Sequence, residues 1–296
     1  MDISTLVLIW CGLLGLVLGS FLNVVIYRLP RKCMTIFGAR SSCPHCLKTI
    51  AWYDNIPVIS YLLLAGKCRH CKKPISPKYA MVEIITGGFV FLLGHSFLVN
   101  WGVGGAFADT WPLFVIYAVF VCALIAVTFI DIRLLIIPNE ISIGGILIAP
   151  VVSFFYPVLH EQGLAKFPWR EEALRLPWGE NLVGLFSSLM GMLVGAAIIY
   201  VVAVLGRILF RKEAMGGGDL KLLAMMGAVI GWQGTIVVFL VACLVGAIFG
   251  VLVILITKDH YMPFGPYLAL GAVIYLFLGD LLVEGYYWYT GLLQGV

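Results

Sequence analysis

Residues 3–27, ISTLVLIWCGLLGLVLGSFLNVVIY, form an apolar run without a single charged side chain. An α-helix rises about 1.5 Å per residue, so this run is long enough to cross the roughly 30 Å of hydrocarbon in a bilayer. No basic residue precedes the run, and no small-residue cleavage pattern follows it. We therefore interpret it as a retained membrane span rather than a signal peptide.

The composition of the whole chain points the same way. Hydrophobic residues make up 62% of the sequence and the mean hydropathy is +1.05, which exceeds the values typical of soluble globular domains. Cutting the chain at charges and at Pro/Gly clusters leaves apolar stretches near residues 3–27, 80–101, 112–130, 141–158, 182–206, 220–233, 235–257 and 264–283. The sequence thus predicts an all-α, polytopic membrane protein with about eight transmembrane helices.

The sixth of these stretches is short, and a tight turn at Gln233-Gly234 is expected to follow it. Such a segment must end inside the bilayer or be shielded by its neighbours. Glycines recur at helical spacing elsewhere, and we expect these positions to be close helix contacts. They are Gly12, Gly15, Gly19, Gly184, Gly191 and Gly195.

The basic residues predict the orientation of the chain. Segments 28–78, 131–140, 207–221 and 258–263 contain 16 of the 19 Lys and Arg residues, and the positive-inside rule assigns these segments to the cytoplasm. The loops near 102–111 and 159–181 are then external. Because topology accounts for the net charge of +4, that charge gives no reason to expect nucleic-acid binding.

The loop after the first span carries two C-x-x-C motifs separated by 21 residues. Four thiolates with this spacing can close a tetrahedral zinc site, although the gap is slightly longer than in most zinc ribbons. A disulfide is disfavoured in a cytosolic loop. Reduced or redox-active thiols remain the alternative to a structural metal. The candidate ligands are Cys43, Cys46, Cys68 and Cys71.

Two carboxylates lie where apolar segments meet the predicted cytoplasmic face. Asp131 ends one apolar run, and Asp219 follows three glycines and opens another. Two neighbouring carboxyls share a proton, so that one can deprotonate water while the other polarises a peptide carbonyl. Two simpler interpretations remain open: Asp219 could cap a helix, and Asp131 could pair with Arg133.

Several ordered motifs together resemble the bacterial type IV prepilin peptidases, which are membrane aspartyl proteases of the GxGD type. The resemblance covers nearly the whole chain. Its motifs are Gly19-Ser20-Phe21-Leu22-Asn23-Val24-Val25-Ile26-Tyr27-Arg28-Leu29-Pro30, both cysteine motifs, Trp52-Tyr53-Asp54-Asn55-Ile56-Pro57, Asp131 with Ile137-Pro138-Asn139, Gly216-Gly217-Gly218-Asp219-Leu220-Lys221-Leu222, and Pro263-Phe264-Gly265-Pro266-Tyr267.

The resemblance implies a function and a division of the chain. The first transmembrane helix would occupy residues 1–27, a cytoplasmic four-cysteine zinc loop associated with methyl transfer residues 28–79, and a transmembrane aspartyl peptidase domain residues 80–296. An enzyme of this family, in the bacterial inner membrane, cleaves the short basic leader of type IV prepilins and type II secretion pseudopilins after a glycine on the cytoplasmic side. Many members then methylate the new N-terminus with S-adenosylmethionine.

The resemblance also implies roles for particular residues. Asp131 and Asp219 match the catalytic pair, whereas Arg133 departs from many relatives. The residues expected to shape the catalytic loops are Gly216, Gly217, Gly218, Lys221, Pro138 and Asn139. For methyl transfer, Glu83 is a candidate acid-base group because it is ionisable at membrane depth, although it could instead pair with Lys78.

Two rival functions fit parts of the pattern. One is the same protease without methyl transfer. The other is a transporter or scaffold with buried aspartates as ion sites and a zinc ribbon that docks a partner; it predicts flux or binding and no peptide cleavage. The GxGD context favours the protease.

Overall fold

A computed structural model of the chain describes residues 2–31, 40–100, 107–160, 175–211, 215–257 and 262–294. Within these ranges the chain is helical, with two isolated β-bridges and no strand, which confirms the predicted all-α class. The α-helices are α1 (Ile3–Arg28), α2 (Ile59–Leu63), α3 (Lys78–Leu93), α4 (Phe107–Leu134), α5 (Asn139–Phe155), α6 (Gly179–Phe210), α7 (Gly217–Ile230), α8 (Trp232–Thr257) and α9 (Gly265–Gln294). Shorter 3-10 turns occupy Leu29–Arg31, Trp52–Asn55 and Pro157–His160, and Gly94–Asn100 is π-helical.

Five segments in the described part of the chain are long and apolar enough to cross a membrane, so the chain is a multi-pass membrane protein. They are Ile3–Arg31, Lys78–Val99, Thr110–Leu134, Gly179–Leu209 and Trp232–Val253. The predicted number of about eight is not confirmed. Helix α5 and the first part of α9, Gly265–Gly279, are shorter apolar helices, and α7 has only 14 residues. Much of the predicted external loop at 159–181 lies outside the described residues.

The chain divides into two compact units, Met1–Ile130 and Asp131–Val296. In the first unit α1 packs along α3, with glycines at the contact. A Cβ at Gly15 would lie 2.8 Å from the Cα of Gly87, and a Cβ at Gly19 would lie 2.6 Å from the Cα of Glu83. The glycine spacing in α1 therefore serves helix packing, as the sequence predicts.

In the second unit, α7 is the central helix. Every residue from Leu222 to Val229 is buried, beneath α5, α6, α8 and α9. At Gly191 of α6, a Cβ would overlap the backbone of Gly227 in α7, and at Gly195 it would overlap the backbone of Leu223. The short sixth stretch is thus shielded by its neighbours. A helix of only 14 residues can therefore end within the protein without exposing its terminal backbone groups to lipid.

The break after α7 differs from the prediction in its position. Helix α7 ends at Ile230, and Gly231 takes φ +84°, a conformation that favours glycine. Helix α8 already begins at Trp232, so the predicted Gln233-Gly234 turn is wrong by two residues. Gly231 and Gly234 both stand in an apolar stretch, so the sequence does not show which of them forms the turn. The positive φ of Gly231 identifies it as the turn residue.

The contact between α6 and α7 can be tested with Gly191→Ala. The added methyl group must push two backbones apart, so we expect the free energy of unfolding to fall by about 1–3 kcal/mol. The matched control is Gly144→Ala, because a Cβ at this position in α5 meets no atom within 4 Å. Unfolding in micelles by heat or sodium dodecyl sulfate measures both variants. Equal stability of the two would contradict the close contact.

Candidate active site and metal centre

Asp131 lies near the C-terminal end of α4 and is only 5% exposed. Its Oδ2 accepts a hydrogen bond of 3.1 Å from the backbone N–H of Gly265, the first residue of α9. A Cβ at residue 265 would lie 2.6 Å from that oxygen, so glycine is required for this contact. The start of a helix therefore presents a backbone donor, and the positive end of its dipole, to the carboxylate.

Asp219 lies in the first turn of α7, three residues after the N-cap Gly216. Its carboxylate lies near the backbone N–H groups of Gly216 and of Asp219 itself, which act to lower its pKa. Burial raises the pKa of Asp219 above its usual value. Asp219 is therefore a half-buried carboxylate at the start of a helix, and it takes up a proton more readily than an ordinary aspartate.

Ile137 brings the two aspartate segments together. A Cβ at Gly218 would lie 3.2 Å from this side chain, and one at Gly265 would lie 3.6 Å from it. The loop carrying Asp219 and the helix start that binds Asp131 thus pack on one residue. The two carboxyls are close enough for the charge of Asp219 to act on Asp131.

The predicted supporting residues gather around the same segments. The Nζ of Lys221 donates a hydrogen bond of 2.9 Å to Oδ1 of Asn139, which joins the first turns of α7 and α5. Pro138 is the N-cap of α5 and is extended, with φ −61° and ψ 130°. Helix α4 ends at Leu134, where Leu135 takes φ +54°, and Pro138 then begins α5 after a short connection.

The glycine run contributes space rather than unusual dihedrals. Gly216 has φ −80°, and none of these three glycines has a positive φ. A Cβ at Gly217 would meet no atom within 4 Å, and one at Gly216 would approach only Asp219 and Gly218, at 3.6 Å or more. An extended peptide can therefore come close to the backbone beside Asp219.

The four predicted cysteine ligands converge in the first unit. Their sulfur atoms all lie within 4.8 Å of one another, and the sulfurs of Cys43 and Cys71 are 3.8 Å apart. A tetrahedral zinc ion with Zn–S bonds of about 2.3 Å separates its ligand sulfurs by about 3.8 Å. This cluster could therefore hold a metal ion of that size.

Both cysteine motifs fold in the same way. Each is closed by an antiparallel β-bridge between the residue before its first cysteine and a residue that follows the motif, Ser42 with Thr49 and Lys67 with Pro74. The residue after each second cysteine has a positive φ, at Leu47 and at Lys72. Such turns aim backbone N–H groups at the sulfurs. In the second motif, N–H groups of residues 71 and 70 lower the pKa of the Cys68 thiol to about 6.

An ion pair fixes the second cysteine motif to the turn at Trp52–Asn55. Arg69 donates from Nε and Nη2 to both carboxylate oxygens of Asp54, at distances of 2.6–3.0 Å. These bonds hold the pKa of Asp54 below its usual value. The bidentate geometry explains why an arginine stands between the two cysteines.

Comparison with known proteins identifies the family. The type IV leader peptidase family matches residues 118–251, and the bacterial peptidase A24 N-terminal domain matches residues 13–97. A prepilin leader peptidase/N-methyltransferase from Aeromonas hydrophila is 32% identical over 93% of this chain and 91% of the relative. The chain belongs to the prepilin leader peptidase/N-methyltransferase family.

Other members of this family are similarly close. The relative from Stutzerimonas stutzeri is 31% identical over 96% of this chain and 95% of its own length, and the one from Pseudomonas aeruginosa is 32% identical over 94% and 93%. No solved structure matches the chain significantly. The prediction of family from the sequence motifs is confirmed.

Two pairings left open by the sequence are not formed. Arg133 is exposed, and the described residues contain no ion pair between it and Asp131. Glu83 is buried and forms no ion pair with Lys78 in the same part of the chain. Its Oε2 instead accepts a hydrogen bond of 2.8 Å from the backbone N–H of Val58.

Sequence reasoning missed three contacts, two around the aspartates and one in the cysteine-bearing loop. Gly265 was quoted only as part of a motif, although its N–H binds Asp131. Ile137, which contacts both aspartate segments, has no distinguishing chemistry. The Asp54–Arg69 pair joins residues 15 apart in an irregular loop, where no periodic pattern predicts the contact.

Proposed function

We propose that this protein is a prepilin peptidase that removes the short basic leader of type IV prepilins and type II secretion pseudopilins, and then N-methylates the new N-terminus. The relatives that match more than nine-tenths of this chain are named for both activities, which supports the proposal. The observation that carries the peptidase activity is the convergence of the Asp131 and Asp219 segments on Ile137.

In the proposed mechanism, Asp131 and Asp219 hold one water molecule between them. One carboxylate removes a proton from the water, whose oxygen attacks the scissile carbonyl carbon. The other, protonated carboxyl donates a hydrogen bond to the carbonyl oxygen and later a proton to the leaving amine. Burial of both groups favours a shared proton at neutral pH, because two ionised carboxylates repel each other strongly away from water.

The surrounding residues position this pair. Gly265 fixes Asp131 through its N–H, and Asp219 lies beside the backbone N–H groups at the start of α7. Gly216 and Gly217 leave room for the substrate backbone. Lys221, Asn139 and Pro138 hold the two loops together without touching the reacting atoms. These roles make them positioning residues.

The second activity transfers a methyl group to the α-amine released by cleavage. S-adenosylmethionine supplies this group: the neutral amine's lone pair forms the new N–C bond while the C–S electron pair stays on sulfur. An α-amine has a pKa near 8, so a nearby base is needed to keep it neutral. Glu83 is the proposed acid-base group, supported by its burial and by the absence of a basic partner for it in the described residues.

The cysteine cluster holds a structural zinc ion in this proposal. Four thiolates fill a tetrahedral shell, so no position remains for water or substrate. The zinc therefore stabilises the loop and takes no part in the chemistry. The loop and both aspartates lie at the cytoplasmic face of the inner membrane, as the distribution of basic residues favours.

Asparagine variants of the aspartates test the peptidase mechanism. Asp131→Asn and Asp219→Asn should each lower the rate of leader cleavage by about 100-fold or more, because each removes one proton carrier. Purified enzyme, a prepilin and S-adenosylmethionine are incubated together, and intact mass reports leader loss and the added methyl group. Pilin supplied without its leader should still be methylated by both variants.

The control for this experiment is Glu140→Gln, which neutralises an exposed acid in the first turn of α5. It should process the prepilin at the wild-type rate. Full processing by both asparagine variants would refute the two-aspartate mechanism. Cleavage without any methylation by the wild type would refute the second activity alone.

Gly265→Ala tests the positioning of Asp131. The new methyl group would stand 2.6 Å from Oδ2, so the carboxylate must turn away and its hydrogen bond must weaken. We expect kcat for cleavage to fall at least about tenfold, with little change in KM, because a positioning change of this kind affects the transition state. Gly144→Ala serves as the control, since it meets open space. An unchanged kcat would contradict the role of Gly265.

Metal analysis tests the zinc site. Purified enzyme should contain about one zinc ion per chain, and Cys46→Ser should lower that content to near zero, since three thiolates bind more weakly than four. Cys122→Ser, which alters a cysteine of α4 outside the cluster, should keep the metal. Active wild-type protein without zinc would rule the site out.

A further inference from the structure

Helix α2, in the loop between the two cysteine motifs, turns all three of its aliphatic residues outward. Ile59, Leu62 and Leu63 are 53%, 69% and 81% exposed. Residues three and four apart lie on the same side of a helix, so these three side chains form one continuous apolar strip. We call Ile59, Leu62 and Leu63 the α2 stripe.

The opposite side of α2 faces the protein. Ser60 is buried, and its hydroxyl accepts a hydrogen bond from the N–H of Ile56 and donates one to the carbonyl of Tyr53. Ser60 and Tyr61 line a cavity between α2, the end of α1 and the start of α3, and no residue of the α2 stripe lines it. The apolar side of α2 is therefore held outward, the reverse of a surface helix in a soluble domain.

A hydrogen bond shows where α2 lies along the membrane-spanning helices. The N–H of Val58, one residue before α2, donates to Oε2 of Glu83 over 2.8 Å. Glu83 lies in the second turn of α3, about 7–8 Å along the helix axis from Lys78. The membrane-capable segment Lys78–Val99 begins at that lysine. Helix α2 therefore starts beside the first turns of a membrane span, at the level where a bilayer surface meets the protein.

Other residues at this end of the first unit have the composition of a bilayer boundary. Met81 and Ile84, in the first turns of α3, are 49% and 55% exposed, and Trp52, ahead of α2, is 75% exposed. Tryptophan is enriched at membrane–water interfaces. Segment 40–78 contains seven Lys or Arg residues and one acidic residue, Asp54. That balance favours contact with anionic lipid headgroups.

We propose that α2 is an interfacial helix whose stripe inserts into the lipid leaflet on the side of the cysteine-bearing loop. Helices α1 and α3 already tether this loop to the bilayer at both ends, so insertion does not have to overcome the entropy of recruitment, and five residues suffice. The inserted helix holds the cysteine-bearing loop against the membrane surface. This docking depends on neither of the activities proposed above.

Photolabelling of the full wild-type chain tests the placement of α2. The protein is reconstituted into nanodiscs of phosphatidylcholine and phosphatidylglycerol that contain a phospholipid with a photoactivatable diazirine in its acyl chain. Mass spectrometry then identifies the labelled residues. Label should fall on the α2 stripe and not on Ser60 or Tyr61, which face inward. Met81 and Ile84 are the internal positive control, because they are exposed on a membrane span.

Leu63→Gln tests the contribution of the stripe. The side chain of Leu63 is 81% exposed, so the change removes almost no contact within the protein, and glutamine is a good helix former. Lipid labelling of α2 should fall at least about fivefold, since an apolar side chain no longer gains from burial in lipid. Leu63→Met, which stays apolar, should keep the wild-type labelling. Far-ultraviolet circular dichroism checks that both variants are folded.

Three results would overturn the proposal. The first is label on Met81 and Ile84 with none on the α2 stripe. The second is equal labelling of α2 in Leu63→Gln and in the wild type. The third is loss of label from the α2 stripe when a prepilin is added, because that result would assign the stripe to a protein partner instead of lipid.

Discussion

In the second unit, helices α6 and α7 cross with Gly191 against Gly227 and Gly195 against Leu223, so that backbone meets backbone. This contact buries a helix of only 14 residues and fixes its axis. Asp219 stands in the first turn of that helix, and its position is therefore set by packing farther along the same helix. In the first unit the contact of Gly19 with Glu83 does the same for another carboxylate. Because lipid provides no hydrophobic drive between helices, such close contacts are what hold these helices, and the carboxylates that they carry, in place.

In the proposed mechanism, Asp219 stands at the start of a helix and also carries a proton. The backbone N–H groups at the start of α7 favour the charged form of this carboxylate. Burial, in contrast, disfavours the charged form and raises the pKa of Asp219. Backbone N–H groups thus stabilise the charged form of the Asp219 carboxylate, while burial raises its affinity for a proton. The same combination of a backbone donor and burial recurs at Asp131, where the donor is the N–H of Gly265.

The sequence predicted the parts of this protein whose signals are local. Hydropathy identified the long helices, glycine spacing identified their contacts, and the C-x-x-C pairs identified a cluster whose sulfurs do converge. It did not establish the number of spans, because a length criterion cannot separate a helix that crosses lipid from one, such as α7, that is covered by protein. The sequence did not predict the role of Gly265, because its hydrogen bond to Asp131 joins residues 134 apart and depends on where α9 begins.

The 21-residue gap between the cysteine motifs, longer than a simple ribbon needs, has a structural use. It contains the Trp52–Asn55 turn, with Asp54 bound to Arg69, and the Val58 backbone that meets Glu83. Each motif by itself is closed by one β-bridge, which is too little to hold such a loop in one conformation. Coordination of zinc by four thiolates releases about 10–16 kcal/mol, far more than the loop-closure entropy of a segment this long. In the proposed enzyme the metal therefore acts through shape: by joining the two motifs it holds the loop between them in one conformation.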